Sequence, residues 1–143
     1  MFRVQQIDHV EVYVPDRYAA AAWYERVFGT QIVQEFEDWA VEGGPLMIST
    51  HEAGTKIALF EGVPPNNGGQ FSAKRVAFRA DGEGFITFLD RLNEAAILND
   101  RGARLTRDQV MDHDKAWSIY FVDPYGNRYE ITTYDYAFVK DRL

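Results

Sequence analysis

IDHVEVYVPDRYAAAAWYERVFG, the run from Ile7 to Gly29, reads as a strand, a cap and a helix in immediate succession. Val10, Val12 and Val14 alternate with His9, Glu11 and Tyr13, the period-two pattern of a strand with one apolar and one polar face. Pro15 and Asp16 end the strand, and Asp16 is placed to cap a helix. Arg17 to Phe28 then has an alanine-rich start and an apolar stripe of Trp23, Val27 and Phe28; Gly29 is a suitable stop. Three further strands are predicted over Gln31–Glu37, Trp39–Ser49 and Lys56–Phe60, the second of them interrupted at Gly43-Gly44-Pro45.

The same order returns later in the chain. KRVAFRA, Lys74 to Ala80, alternates Val76, Phe78 and Ala80 against Arg75, Ala77 and Arg79. Asp81-Gly82 turns the chain, and Glu83–Asn93 is predicted as a helix carrying Phe85, Phe88, Leu89 and Leu92. Strands follow over Ala103–Thr106, Ala116–Val122 and Tyr129–Thr133, with a turn at Asp123-Pro124-Tyr125-Gly126. A shift of 66 residues lays Val10 on Val76 and Val12 on Phe78; a shift of 72 lays Gly54 on Gly126 and Ala58 on Glu130. Identity between the halves is slight, so the repeat is carried by pattern. Between them EGVPPNNGGQ, Glu61 to Gln70, has the prolines, asparagines and glycines of a loop. The expected organisation is one domain over 1–143, with modules at 5–61 and 71–134 and a linker at 62–70.

A chain of 143 residues, 46% hydrophobic and 15% aromatic, can bury a sizeable core. It contains no cysteine, which removes disulfides, thiolate metal sites and cysteine nucleophiles together and suits a reducing cytosol. No signal-peptide pattern opens the sequence, and no stretch reaches the ~20 apolar residues of a membrane helix. The net charge of −7 repels phosphate backbones and disfavours nucleic acid as a partner. A cytoplasmic location without membrane association is expected. There is no P-loop, no G-x-G-x-x-G and no G-x-S-x-G.

Three segments resemble the vicinal oxygen chelate superfamily of glyoxalases, bleomycin-resistance proteins and extradiol dioxygenases: Ile7–Gly29, VAFRADGEGFITFLDRL (Val76–Leu92) and SIYFVDPYGNRYEITTY (Ser118–Tyr134). The last is similar to that family's C-terminal strand pair, with D-P-x-G at the hairpin and a ligand Glu four residues after the Gly. The resemblance, closest to small dioxygenase-like members, implies an α+β fold. Two βαβββ modules would form a curved eight-stranded mixed sheet around a concave site, with helices on the convex side. Strand parity supports this. An apolar face of Val10, Val12, Val14, Ile57, Leu59, Val76, Phe78, Tyr129 and Ile131 would hold the helices. His9, Glu11, Tyr13, Lys56, Ala58, Arg75, Ala77, Arg79, Tyr120, Arg128 and Glu130 would point the other way.

The family's four metal-ligand positions fall here on His9, Ala58, Arg75 and Glu130, which makes His9 and Glu130 the metal candidates. Dioxygenase-like branches omit the ligand at the Ala58 position and use two His and one Glu, a facial set suited to Fe(II) or Mn(II). Arg75 breaks that set, because guanidinium stays protonated and cannot ligate a cation. Fe(II), Mn(II), Ni(II) or Zn(II) is thus the implied cofactor, with an incomplete ligand set that water or His113 would complete. Tyr120 and His113 match positions of active-site residues in dioxygenase-like relatives and are the catalytic candidates. His51, the third histidine, follows a strand.

Arg75, Arg79 and Glu11 are the substrate-binding candidates. If the family geometry holds, Arg75 lies near the carboxylate of Glu130, in the space a metal normally takes. Such a pair would be structural, or would hold an anionic ligand with help from Arg79, Arg128 and Lys56. Two activities follow. One is a divalent-metal-dependent enzyme on a small oxygenated substrate, an extradiol-dioxygenase-like oxidoreductase or a glyoxalase-like lyase. The other is a metal-free small-molecule-binding protein, like the bleomycin-resistance proteins, in which Arg75 replaces the metal. A degenerate structural member is a third reading. The partner is a small-molecule ligand in each functional case. A homodimer is implied by the family, with Tyr134, Tyr136 and Phe138 suited to an interface.

Overall fold

The computed structural model describes residues 1, 3, 7, 9–50, 54–63 and 75–143. His51, Lys74 and most of the expected linker lie outside the described residues. The chain divides into two compact units, Met1–Gln70 and Phe71–Leu143.

In the first unit, β1 (His9–Val14) is followed by α1 (Arg17–Phe28), β2 (Gln31–Ile32), a 3-10 turn over Gln34–Trp39, β3 (Leu46–Ser49) and β4 (Lys56–Glu61). Helix α1 has the predicted bounds. The Asp16 side chain accepts the amide hydrogen bond of Ala19, and Gly29 closes the helix at φ 72°, a left-handed conformation that costs a residue without Cβ little. The sheet order is β1-β4-β3-β2, with β1 parallel to β4 and the remaining pairs antiparallel. Val12 and Val14 of β1, Ile57 and Leu59 of β4, and Ala20, Tyr24 and Val27 of α1 form the core. Each large apolar side chain removed from water there contributes about 1.5–3 kcal/mol.

Two expectations change in this unit. The strand predicted over Gln31–Glu37 stops at Ile32, and that predicted over Trp39–Ser49 begins only at Leu46. The intervening segment is held from within by Arg17, which is 8% exposed. Its Nη1 donates to the carbonyls of Val41 (2.8 Å) and Gly44 (2.6 Å), and its Nη2 donates to that of Ala40 (3.2 Å). A guanidinium serving three carbonyls satisfies a looped backbone that has no strand partner.

In the second unit, β5 (Arg75–Arg79) leads to α2 (Gly82–Asp90), α3 (Leu92–Ala95), β6 (Met111–Asp112), β7 (Trp117–Val122), β8 (Arg128–Thr133) and α4 (Tyr136–Lys140). The order β5-β8-β7-β6 repeats the first sheet's plan, again with one parallel pair, β5 with β8. The fold is therefore α+β, built from two four-stranded mixed sheets of βαβββ order. Phe85 and Leu89 of α2 are buried, and Phe88 lies 5.4 Å from the Phe121 ring of β7.

The strand expected at Ala103–Thr106 is not formed; Arg104 makes only an isolated bridge to Leu98. Asn99 takes that backbone instead, its Oδ1 accepting from the amides of Arg101 (3.0 Å) and Ala103 (3.1 Å). The edge place passes to Met111–Asp112. The predicted helix Glu83–Asn93 ends at Asp90 and resumes as a short turn of helix, and α4 was not anticipated.

The repeat is visible in register as well as in order. In the first sheet His9 is the Cα partner of Lys56 and Glu11 that of Ala58. In the second, Arg75 is the partner of Arg128 and Ala77 that of Glu130. The shifts of 66 and 72 residues therefore carry one set of parallel pairs onto the other.

Candidate functional site

In the first sheet His9 and Glu11 are exposed on one face of β1, opposite Lys56 and Ala58. Tyr13 continues that face and stacks on Phe60 at 5.5 Å. Ala58 is only 1% exposed, as are its β4 neighbours to within a few per cent, so this central strand is buried on both faces.

The second sheet is positioned by the Asp123-Pro124-Tyr125-Gly126 turn. Asp123 is buried; its Oδ1 accepts from the amides of Tyr125 (2.9 Å) and Asn127 (2.8 Å), and its Oδ2 accepts from the Asn127 side chain (2.6 Å). Gly126 supplies the positive φ of 88° that the turn requires. A one-residue slip between β7 and β8 would move every side chain to the other face, so this turn fixes which residues meet. It sets Tyr120 opposite Glu130, with Ser118 opposite Thr132 on the same face.

Three of the predicted site residues come together there. The Arg75 guanidinium lies over the Tyr120 ring, 4.5 Å from its centroid. The Tyr120 hydroxyl is 2.8 Å from Nε2 of His113, which sits at the turn after β6. Arg79, further along β5, lies over the Tyr134 ring at 5.2 Å. Glu130 is half-buried between Ala77 and Tyr120 in the sheet. The expected ion pair between Arg75 and Glu130 is not formed among the described residues; the aromatic ring takes the guanidinium instead. Guanidinium sheds hydration easily and gains from a π face.

Arg128 meets Asp100 at 3.6 Å, both groups being well exposed. No motif in the sequence marks Asp100 as its partner, since the contact depends on the fold of the Asn99 loop.

Beyond this face, Trp117 and Tyr136 stack at 5.1 Å, and the Trp117 indole donates to the Tyr136 carbonyl at 3.1 Å. The Tyr136 hydroxyl donates to Asp112 at 2.8 Å. Asp112 is held below its ordinary carboxyl value, first by the amide of Asp114 and then by Tyr136, and Tyr136 is raised in turn by that carboxylate. Of the three expected interface aromatics, Tyr134 is 61% exposed, while Phe138 lies beneath the Arg142 guanidinium at 3.7 Å. A hollow lined by Asp81, Gly82, Glu83 and the segment 134–138 holds none of the candidate catalytic or metal residues.

The residues present do not fit a divalent ion of the expected kind. Arg75 has no lone pair to give, so the second histidine of the expected two-His, one-Glu set has no counterpart there. Among the described residues no three His, Cys, Asp or Glu side chains gather into a metal-holding group. No described helix is long and apolar enough to cross a membrane.

Residues 6–131 match the model of the Glyoxalase/Bleomycin resistance protein/Dioxygenase superfamily. The chain is 31% identical to the metallothiol transferase FosB of Lysinibacillus sphaericus (strain C3-41) over 143 residues, covering 98% of this chain and 88% of that one. Among solved structures it is similar to TnmS3, an antibiotic binding protein from Streptomyces sp. CB03234. That match has a TM-score of 0.68 at 18% identity and covers 93% of this chain and 98% of the other. It is also similar to a lactoylglutathione lyase from Agrobacterium tumefaciens, with a TM-score of 0.64 at 20% identity over 93% and 96% of the two chains. The strand order, the repeated register and the length of the family match agree: this chain belongs to the glyoxalase/bleomycin resistance/dioxygenase superfamily.

Proposed function

We propose that this protein binds a small molecule on the polar face of its second sheet and does so without a divalent ion. The observation that carries the reading is the Arg75 guanidinium set on the Tyr120 ring, at a position where the superfamily resemblance puts a ligand histidine. A fixed positive charge there repels a cation and invites a polar or anionic ligand. Arg75, Arg79 and Glu130 are its binding groups in this reading, with Tyr120 and His113 at the edge.

The competing reading is a metal-dependent enzyme, and the likeness to a metallothiol transferase favours it. In that case Glu130 is a ligand, as the superfamily resemblance implies, and the His113–Tyr120 pair handles a proton. A cytosolic homodimer is proposed in either case, on the lack of cysteine and the exposure of Tyr134.

Ligand discovery by thermal shift, run in parallel with and without a strong chelator, separates the two readings. Stabilisation that persists in chelator supports metal-free binding. Ligands that act only with added Mn(II), Fe(II), Ni(II) or Zn(II) would overturn it.

A further inference from the structure

The polar face of the second sheet carries three guanidinium groups, on Arg75, Arg79 and Arg128, against the single carboxylate of Glu130. Arg75 and Arg128 are Cα partners on adjacent strands, an arrangement of like charges that is unfavourable unless something lies between them. Arg128 has only the exposed 3.6 Å contact with Asp100, which water and salt screen. Arg75 has no ion pair among the described residues. The Tyr120 ring fixes the plane of its guanidinium without using any N–H donor, so the fork remains available at reduced entropic cost.

Glu130 supplies the opposite need. It is half-buried and acceptor-only, and no cation meets its carboxylate among the described residues. Its parallel partner is Ala77, the one small side chain between Arg75 and Arg79 on β5. A methyl group at that point leaves room on the sheet for the body of a ligand lying between the arginines and the carboxylate.

We infer that this face takes a hydroxy acid. Its carboxylate is held by the Arg75 and Arg128 guanidinium groups, and its hydroxyl donates to Glu130. This rests on the reading of the chain as a small-molecule binder and adds the ligand class to it. A neutral ligand leaves the two arginines uncompensated. A simple carboxylate leaves Glu130 without a donor.

The test uses the full chain labelled with 15N and three probes: 4-hydroxybenzoate, its neutral methyl ester, and benzoate. The hydroxy acid is expected to bind saturably and to shift the amides of Arg75–Arg79 and Arg128–Thr133. The ester is expected to bind at least about tenfold more weakly, and benzoate to fall between them. Arg75→Gln narrows the preference for acid over ester, and Glu130→Met, which has no strong acceptor, removes the preference for 4-hydroxybenzoate over benzoate. Arg107→Gln, whose guanidinium is engaged by Asp90 of α2 and the Arg142 carbonyl, changes neither. An ester that binds as tightly as the acid on the same amides overturns the ligand class while leaving the binder reading intact. No saturable shift on this face with any probe overturns the inference, and the binder reading then stands or falls on the chelator experiment.

Discussion

The Tyr120 hydroxyl and Nε2 of His113 lie 2.8 Å apart, which ties a turn histidine to the ring that carries Arg75. Tyr120→Phe keeps the ring and deletes the bond. Because His113 is exposed and Tyr120 only half-buried, stability should change by no more than about 1 kcal/mol in urea titration. The change to look for is local. The His113 imidazole 15N signals should move toward those of a solvated ring, with the β5 amides undisturbed. Identical imidazole spectra in parent and variant would show that the pair does not form in solution.

The Asp112–Tyr136 bond makes the edge of the second sheet sensitive at both ends of the pH scale. Asp112 titrates below its ordinary value in the folded chain, chiefly through the amide of Asp114. Its contribution is therefore present above the unfolded carboxyl value of about 3.9 and lost as pH falls through the lower folded value. Tyr136 is shifted upward by the Asp112 hydrogen bond, so its contribution is full below about 10 and lost as pH rises past it. Tyr136→Phe should remove the alkaline loss and leave less of the acid one, read from thermal midpoints across pH. An unchanged alkaline limb would mean that Tyr136 is not the titrating group.

How much of this was legible in the sequence depended on whether local signals or distant partners decided the outcome. Helix α1 has its cap, its stripe and its glycine stop in adjacent residues, and it forms with the predicted bounds. The face of each candidate on β1, β5 and β8 followed from period-two alternation, which pairing preserves. The strand expected from Trp39 was displaced by Arg17 reaching the carbonyls of Ala40, Val41 and Gly44, a contact no periodicity announces. Ala103–Thr106 failed for the same reason, with Asn99 as the competing partner. Arg75 stands at the strand position its alternation implies, but its guanidinium meets the Tyr120 ring rather than the Glu130 carboxylate. Choosing between a carboxylate and a ring needs the geometry of β7 as well as β8.

Arg17 and Gly44 provide a stability test of the loop they share. Arg17→Met keeps the apolar stem and removes the donors to Ala40, Val41 and Gly44, at an expected cost of about 3 kcal/mol. Arg17→Lys should recover little of it, since one ammonium cannot reproduce a planar fork. Gly44→Ala should also destabilise, by about 1–3 kcal/mol, because its Cβ would stand 2.0 Å from the Trp39 carbonyl oxygen. Denaturant midpoints within error of the parent for both would refute this account of the loop.

Position 75 separates the binding and metal-dependent readings at a single side chain. The residue lies on the same sheet face as Glu130 and is exposed, so exchange there disturbs no core. Arg75→Ala should cost no more than about 1 kcal/mol, the scale of an exposed cation–π contact rather than of a broken buried ion pair. Arg75→His places an imidazole where the superfamily resemblance expects a ligand, on the same sheet face as the carboxylate of Glu130. Its affinity for Mn(II), Ni(II) or Zn(II), measured by calorimetry, should exceed the parent's by at least tenfold, or ~1.4 kcal/mol. Adding Glu130→Ala to Arg75→His should abolish the gain, which distinguishes a rebuilt site from adventitious binding to a new surface histidine. If the parent already binds as tightly as the histidine variant, Arg75 does not stand in the metal's place, and the metal-free reading fails with it.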